Sequence, residues 1–127
     1  MRDLIVSAIA IAILIGSWLV FYDYSEARIS SFTHTIDEII LPLAEEENWS
    51  GSLQEMEQLS ESWHQYKRTA LLFLDTEVIN EIDYSIARSL QYIKARDISN
   101  SSGELLVIRE QLKFLSSNDR VSLANIL

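Results

Sequence analysis

Apolar and polar positions along this chain divide into one unbroken apolar run and then a series of striped segments. From Leu4 to Tyr22 (LIVSAIAIAILIGSWLVFY) there is no charge, and Ser7, Gly16 and Ser17 are the only interruptions apart from the aromatic tail. A helix of that length reaches about 28 Å, close to the hydrocarbon thickness of a bilayer. The run is apolar on every face, which predicts a helix surrounded by lipid rather than one buried on a single side.

The rest of the chain has helical periodicity. No Gly or Pro separates Ser17 from Leu41, so the first helix is expected to continue out of the apolar run. Its stripe would be Ile29, Phe32, Ile36, Ile39 or Ile40, and Leu43. Pro42 lacks an N–H and would meet the Glu38 carbonyl, predicting a kink or an end there. Ser52-x-x-Glu55 reads as a capping box opening a second helix. That helix would bury Leu53, Met56, Leu59 or Ser60, Trp63, Tyr66 or Lys67, and Ala70, and end near Phe73. Asp75-Thr76 reads as the cap of a third, running to Arg96 with Ile79, Ile82, Ile86, Leu90 and Ile93 inward. Ser101-x-x-Glu104 reads as the cap of a fourth, with Leu105, Ile108, Leu112 and Leu115 inward. Ser116 to Asp119 is expected to break it, leaving a tail from Arg120 to Leu127 that either docks as a short turn, as Val121, Leu123, Ile126 and Leu127 favour, or frays. Asn48–Leu53 and Asn100–Leu105 share Asn, Ser, Gly and Leu, either as relics of a duplicated αα-hairpin or as helix starts selected independently. The expected fold is all-α: an N-terminal transmembrane helix (1–23) continuing into a small antiparallel helical bundle (24–127) of two αα-hairpins.

Charge narrows the partners. The net charge is −9, and Asp23 to Glu61 carries all of it, with Arg28 its one base; from Ser62 onward acids and bases balance. Such a surface repels phosphate backbones, so nucleic acid is excluded as a partner. With no cysteine there is neither a disulfide framework nor a thiolate site. One proline and three glycines leave little for a turn-rich β fold.

Ser25-Glu26-Ala27 offers a small-x-small cleavage pattern, making a removed signal peptide the rival to an anchor. The short charged start Met1-Arg2-Asp3, the length of the run, and the aromatic cluster Trp18, Phe21, Tyr22 and Tyr24 favour an uncleaved signal anchor with an interfacial belt. Arg2 and the amino terminus set against Arg28 predict a cytoplasmic N-terminus and an extracytoplasmic domain in the cell membrane. Ala8, Ala12 and Gly16 form a small-xxx-small row, either an intramembrane helix–helix interface, a homodimer included, or the ordinary composition of membrane helices.

Candidate chemistry is sparse. Glu61-x-x-His64 has di-metal carboxylate spacing, but no second such pair exists, and His34 with Glu38 reads better as a helix-surface pair. Nucleophile elbow, phosphate loop and dinucleotide fingerprint are all missing, so neither enzyme activity nor a cofactor nor a metal is expected. Trp63 belongs to the core stripe. Tyr66, Lys67 and Arg68 form either a partner patch or part of the core and its solvated rim. Trp49, placed in a turn, would need something to cover it.

The opening MRDLIVSAIAIAILIGSWLVFYDYS, EEENW, LSESWHQYK, FLDTEVINEIDYSIA and KARDISNSSGELLVIREQLKFL together resemble a family of small single-pass proteins of Gram-positive, often spore-forming bacteria, classed as a domain of unknown function. The resemblance covers nearly the whole chain and implies an architecture without an activity. It also implies a second uncharacterised membrane protein, of the YetF-like type, as partner. Two functions are therefore expected as rivals: an accessory or assembly subunit of another membrane protein, or a ligand-sensing helical domain.

Overall fold

The computed structural model describes residues 1–126, with side-chain surroundings for 1–117. The docking expected of Val121, Leu123, Ile126 and Leu127 lies outside those side chains. Every element among the described residues is helical: α1 (Arg2–Thr35), a π-helical turn (Ile36–Ile40), α2 (Leu41–Glu45), α3 (Trp49–Ala70), α4 (Thr76–Lys94) and α5 (Ile98–Ile126). The first three are continuous, so the molecule consists of four rods running alternately up and down. The first rod packs on α3 and α5, and α4 closes the ring between those two.

Pro42 does not end the first rod. The ladder changes register ahead of it, and the Leu41 N–H bonds the Ile36 carbonyl five residues back. An unbroken α-helix would have set the proline ring against the Glu38 carbonyl; the wider turn takes up one extra residue instead. That residue rotates the stripe. Ile29, Phe32, Ile36 and Ile40 are buried as expected, but Leu41 and Ala44 follow them inward, leaving Ile39 exposed and Leu43 half-buried.

The expected stripes of the later helices hold. Met56, Leu59, Trp63, Tyr66 and Ala70 of α3 are buried, as are Ile79, Ile82, Ile86 and Ile93 of α4 and Leu105, Ile108, Leu112 and Leu115 of α5. Leu53 and Leu90 pack against that core from its edge. Small side chains let the rods approach closely: Ser85 and Ser89 of α4 and Ser101 of α5 are wholly buried. No break occurs at Ser116 to Asp119, because nothing in that stretch removes an N–H from the ladder.

Both capping boxes are displaced. The cap of α3 is Asn48, which accepts from the Gly51 N–H at 3.1 Å, and Asp97 accepts likewise from the Asn100 N–H at 3.0 Å. Ser52 and Ser101 fall one turn inside their helices. Each cap directly follows a non-glycine residue of positive φ, Glu47 at 60° and Arg96 at 58°. The hydrogen bonds repeat as well: Asn48 N–H to Leu43 O and Glu47 N–H to Ala44 O in one turn, Asp97 N–H to Tyr92 O and Arg96 N–H to Ile93 O in the other. These are two copies of one Schellman turn. The two turns share a backbone path, but it pairs Asn48 with Asp97 rather than with Asn100, so the match of Asn48–Leu53 with Asn100–Leu105 does not fall on equivalent positions. At the opposite end Leu71 to Leu74 turns the chain from α3 into α4, which Asp75 caps as expected through the Glu77 N–H.

Candidate functional site

The apolar extension enters the bundle through a nest of rings. Phe21 is 3% exposed. It stacks on Phe73 of the α3–α4 turn, with centroids 4.4 Å apart and planes 12° from parallel. Trp18 lies 5.7 Å from the same Phe73 ring. One turn further on, the buried Ser25 hydroxyl and the Tyr66 hydroxyl share a 2.6 Å hydrogen bond. Phe32 meets Tyr66 and Trp63 edge-on at 5.8 and 6.0 Å. Offset and edge-on rings are the arrangements aromatic quadrupoles favour. As the numbers rise along α1 they fall along α3, so the nest locks two antiparallel rods in register.

Those contacts revise the expected aromatic belt. Phe21 is a core residue, and Trp18 and Tyr22 are half-buried, leaving Tyr24 as the exposed member at 39%. Packing onto the bundle thus begins inside the segment expected to be wholly anchor. Beyond Trp18 toward the N-terminus the helix stands free, with Leu4, Ile5, Val6, Ile9, Ile11, Ile13 and Leu14 all exposed. Ala8 and Ala12 are exposed too, and a Cβ added at Gly16 would meet nothing. Gly16 also lines a hollow of about 570 Å³ with Ser17, Val20, Phe21, Tyr24, Thr69 and Phe73, so the small-residue row ends where the bundle begins.

The expected partner patch comes apart in the structure. Tyr66 is fully buried because the α3 stripe aims it at Ser25 and the ring nest. Lys67 is an ion-pair partner of Asp83, whose other carboxylate oxygen accepts from the Trp63 indole N–H at 2.5 Å. Arg68 alone of the three is exposed. Trp49 is no loop residue; as the first residue of α3 it is half-buried against the core. Glu61 and His64 are exposed, and the His64 ring bonds the Ser60 carbonyl at 2.6 Å. Among the described residues no three His, Asp or Glu side chains gather as metal ligands.

Sequence reasoning missed Phe73, Ser25 and Asp83. Phe73 carried a readable signal, since LLFL occupies a turn where Gly, Asn or Asp is usual. Ser25 and Asp83 carried none, because each matters only through a partner distant in sequence. Further cross-helix contacts clip the rods together: Arg88 to Glu104 at 2.8 Å, Arg109 to Asp37 at 3.2 Å, and the Ser116 hydroxyl to Glu26 at 2.5 Å.

Fold and joint define the class: an up-and-down four-helix bundle whose first helix carries an apolar extension long enough to cross a membrane. Within that class the chain belongs to the family described as domain of unknown function DUF4363, whose model matches residues 19–126. The match starts one residue past Trp18, within the ring nest, and runs on through α5. No curated relative and no solved structure matches the chain.

Proposed function

We propose that the chain is a non-catalytic, membrane-tethered accessory subunit, its N-terminal helix an uncleaved single-pass anchor and its bundle on the extracytoplasmic side. The observation that carries this reading is the continuity of the first rod. One helix from Arg2 to Glu45 is apolar and unpartnered at one end and built into a packed core at the other. A partner that binds the intramembrane half is thereby coupled to the bundle without a flexible linker. The Ala8, Ala12 and Gly16 row is open for close helix packing in lipid. The partner proposed is a second membrane protein, of the YetF-like type that the sequence resemblance implies.

A sensor enclosing a small molecule among its helices is the weaker reading. The bundle axis is filled by Ile36, Trp63, Tyr66, Ile82 and Ile108, each with 0% exposure. The test is photo-crosslinking in native membranes from a probe at Ala12, followed by mass spectrometry. Adducts to another integral membrane protein are expected, and lost when Gly16→Ile blocks the row. Recovery of the uncrosslinked chain alone, or of adducts only between its own copies, would overturn the accessory-subunit reading.

A further inference from the structure

The two ends of the bundle differ in the chemistry of their turns. At the end far from the apolar extension the turns are Glu46-Glu47-Asn48 and Ala95-Arg96-Asp97, polar as solvent-facing turns normally are. At the near end the turn is Leu71-Leu72-Phe73-Leu74. Leu72 is 79% exposed and Leu71 37%. A turn that displays leucine to water while its counterparts display charge is built for a different medium.

Its level along the molecule says which medium. Phe73 stacks on Phe21, the last residue but one of the uncharged run, and touches Trp18 one turn deeper. If the run from Leu4 to Tyr22 occupies the hydrocarbon layer, the tip of this turn cannot stand in bulk water. We infer that the α3–α4 turn is a second membrane contact, with Leu71 and Leu72 sunk into the interfacial layer of the same bilayer that the anchor crosses. This rests on the anchor reading above. The contact is apolar rather than electrostatic, since Asp23, Asp75 and Glu77 flank it against Arg68. The surface it fits is therefore zwitterionic lipid, without need of anionic headgroups.

The absence of cysteine makes the test direct. Three single substitutions, Leu72→Cys, Glu47→Cys and Ile13→Cys, are placed in the full chain and reconstituted into phosphatidylcholine vesicles. Labelling by a membrane-impermeant maleimide is then timed. Glu47→Cys, at the far turn, reports the outward-facing fraction and sets the fast rate. Leu72→Cys is expected to react at least about tenfold more slowly, because a thiol in apolar surroundings gives up its proton reluctantly and meets the reagent rarely. Ile13→Cys is expected to be slower still. Leu72→Cys labelling as fast as Glu47→Cys while Ile13→Cys stays protected would overturn the lipid contact alone, leaving the turn for a protein partner. Rapid labelling of Ile13→Cys would overturn the anchor reading and this inference with it.

Discussion

Asp83 holds two donors from the facing helix, the indole N–H of a wholly buried Trp63 and the ammonium of Lys67. The α3 stripe directs Trp63 into the core and leaves Lys67 at its edge, so the carboxylate on α4 is what makes the burial of the indole N–H tolerable. Removing it with Asp83→Ala strands the indole N–H in the core and is expected to cost about 1–3 kcal/mol. Asp83→Asn keeps an acceptor for Trp63 and loses only a partly exposed ion pair, a loss within about 1 kcal/mol. Lys67→Met keeps the aliphatic stem and should fall in the same small range. Urea midpoints of the full chain in detergent micelles measure all three. If Asp83→Ala unfolds at the parent's midpoint, the carboxylate does not support Trp63. The same residues show how far side-chain roles could be read in advance. Trp63 was legible as core from its spacing, whereas the roles of Tyr66 and Lys67 stayed open between core and partner surface, because the choice depends on Ser25 and Asp83, far away in sequence.

At the scale of elements, the two Schellman turns have the same backbone but chemically different caps. Asn48 caps α3 with a neutral amide; Asp97 caps α5 with a carboxylate. The Asn100 backbone N–H, and then its side-chain amide, hold the Asp97 carboxyl below the usual aspartate range. A folded-state pKa below the unfolded one means that the cap's contribution is complete above the ordinary aspartate pKa. It is lost as pH falls through the lower, folded value. The α4–α5 turn is therefore expected to loosen in acid while the α2–α3 turn does not. Backbone amide shifts of Asn100 and Gly51, followed by NMR as pH is lowered from neutral, report the two turns separately. Movement of Asn100 with Gly51 stationary is the expected outcome, and Asp97→Asn should abolish the difference. Equal movement at both amides would refute it. The helices themselves were legible from apolar spacing because burial of one face dominates their formation. Their starts were not. The positive-φ residues that set those starts, Glu47 and Arg96, are not glycines, so the usual mark of such a turn is missing. The π turn was equally hidden, since Pro42 announces that the ladder must change but not how.

For the molecule as a whole, the decisive question is where the bundle begins. Phe21 precedes the small-x-small pattern Ser25-Glu26-Ala27 and Ser25 opens it, yet both are core residues, one stacked on Phe73 and the other bonded to Tyr66. A cut after Ala27 would remove the ring that Phe73 packs on. It would also strip Tyr66 of Ser25 and of the Phe21 and Tyr24 rings. Loss of a buried phenylalanine ring alone costs about 3–5 kcal/mol, against a total stability of about 5–15 kcal/mol for an ordinary domain. A fragment starting at Arg28 is thus expected to lose fixed packing: a weak near-ultraviolet circular dichroism signal, strong binding of the dye ANS, and no sharp thermal transition. A fragment starting at Trp18 keeps the whole nest and is expected to unfold cooperatively. Should the two fragments melt alike, the joint would be dispensable to the bundle, and the physical objection to cleavage after Ala27 would disappear. If they differ as expected, the segment that enters the apolar run is also the segment that completes the core, and anchor and bundle cannot be separated at Ala27 without unfolding what remains.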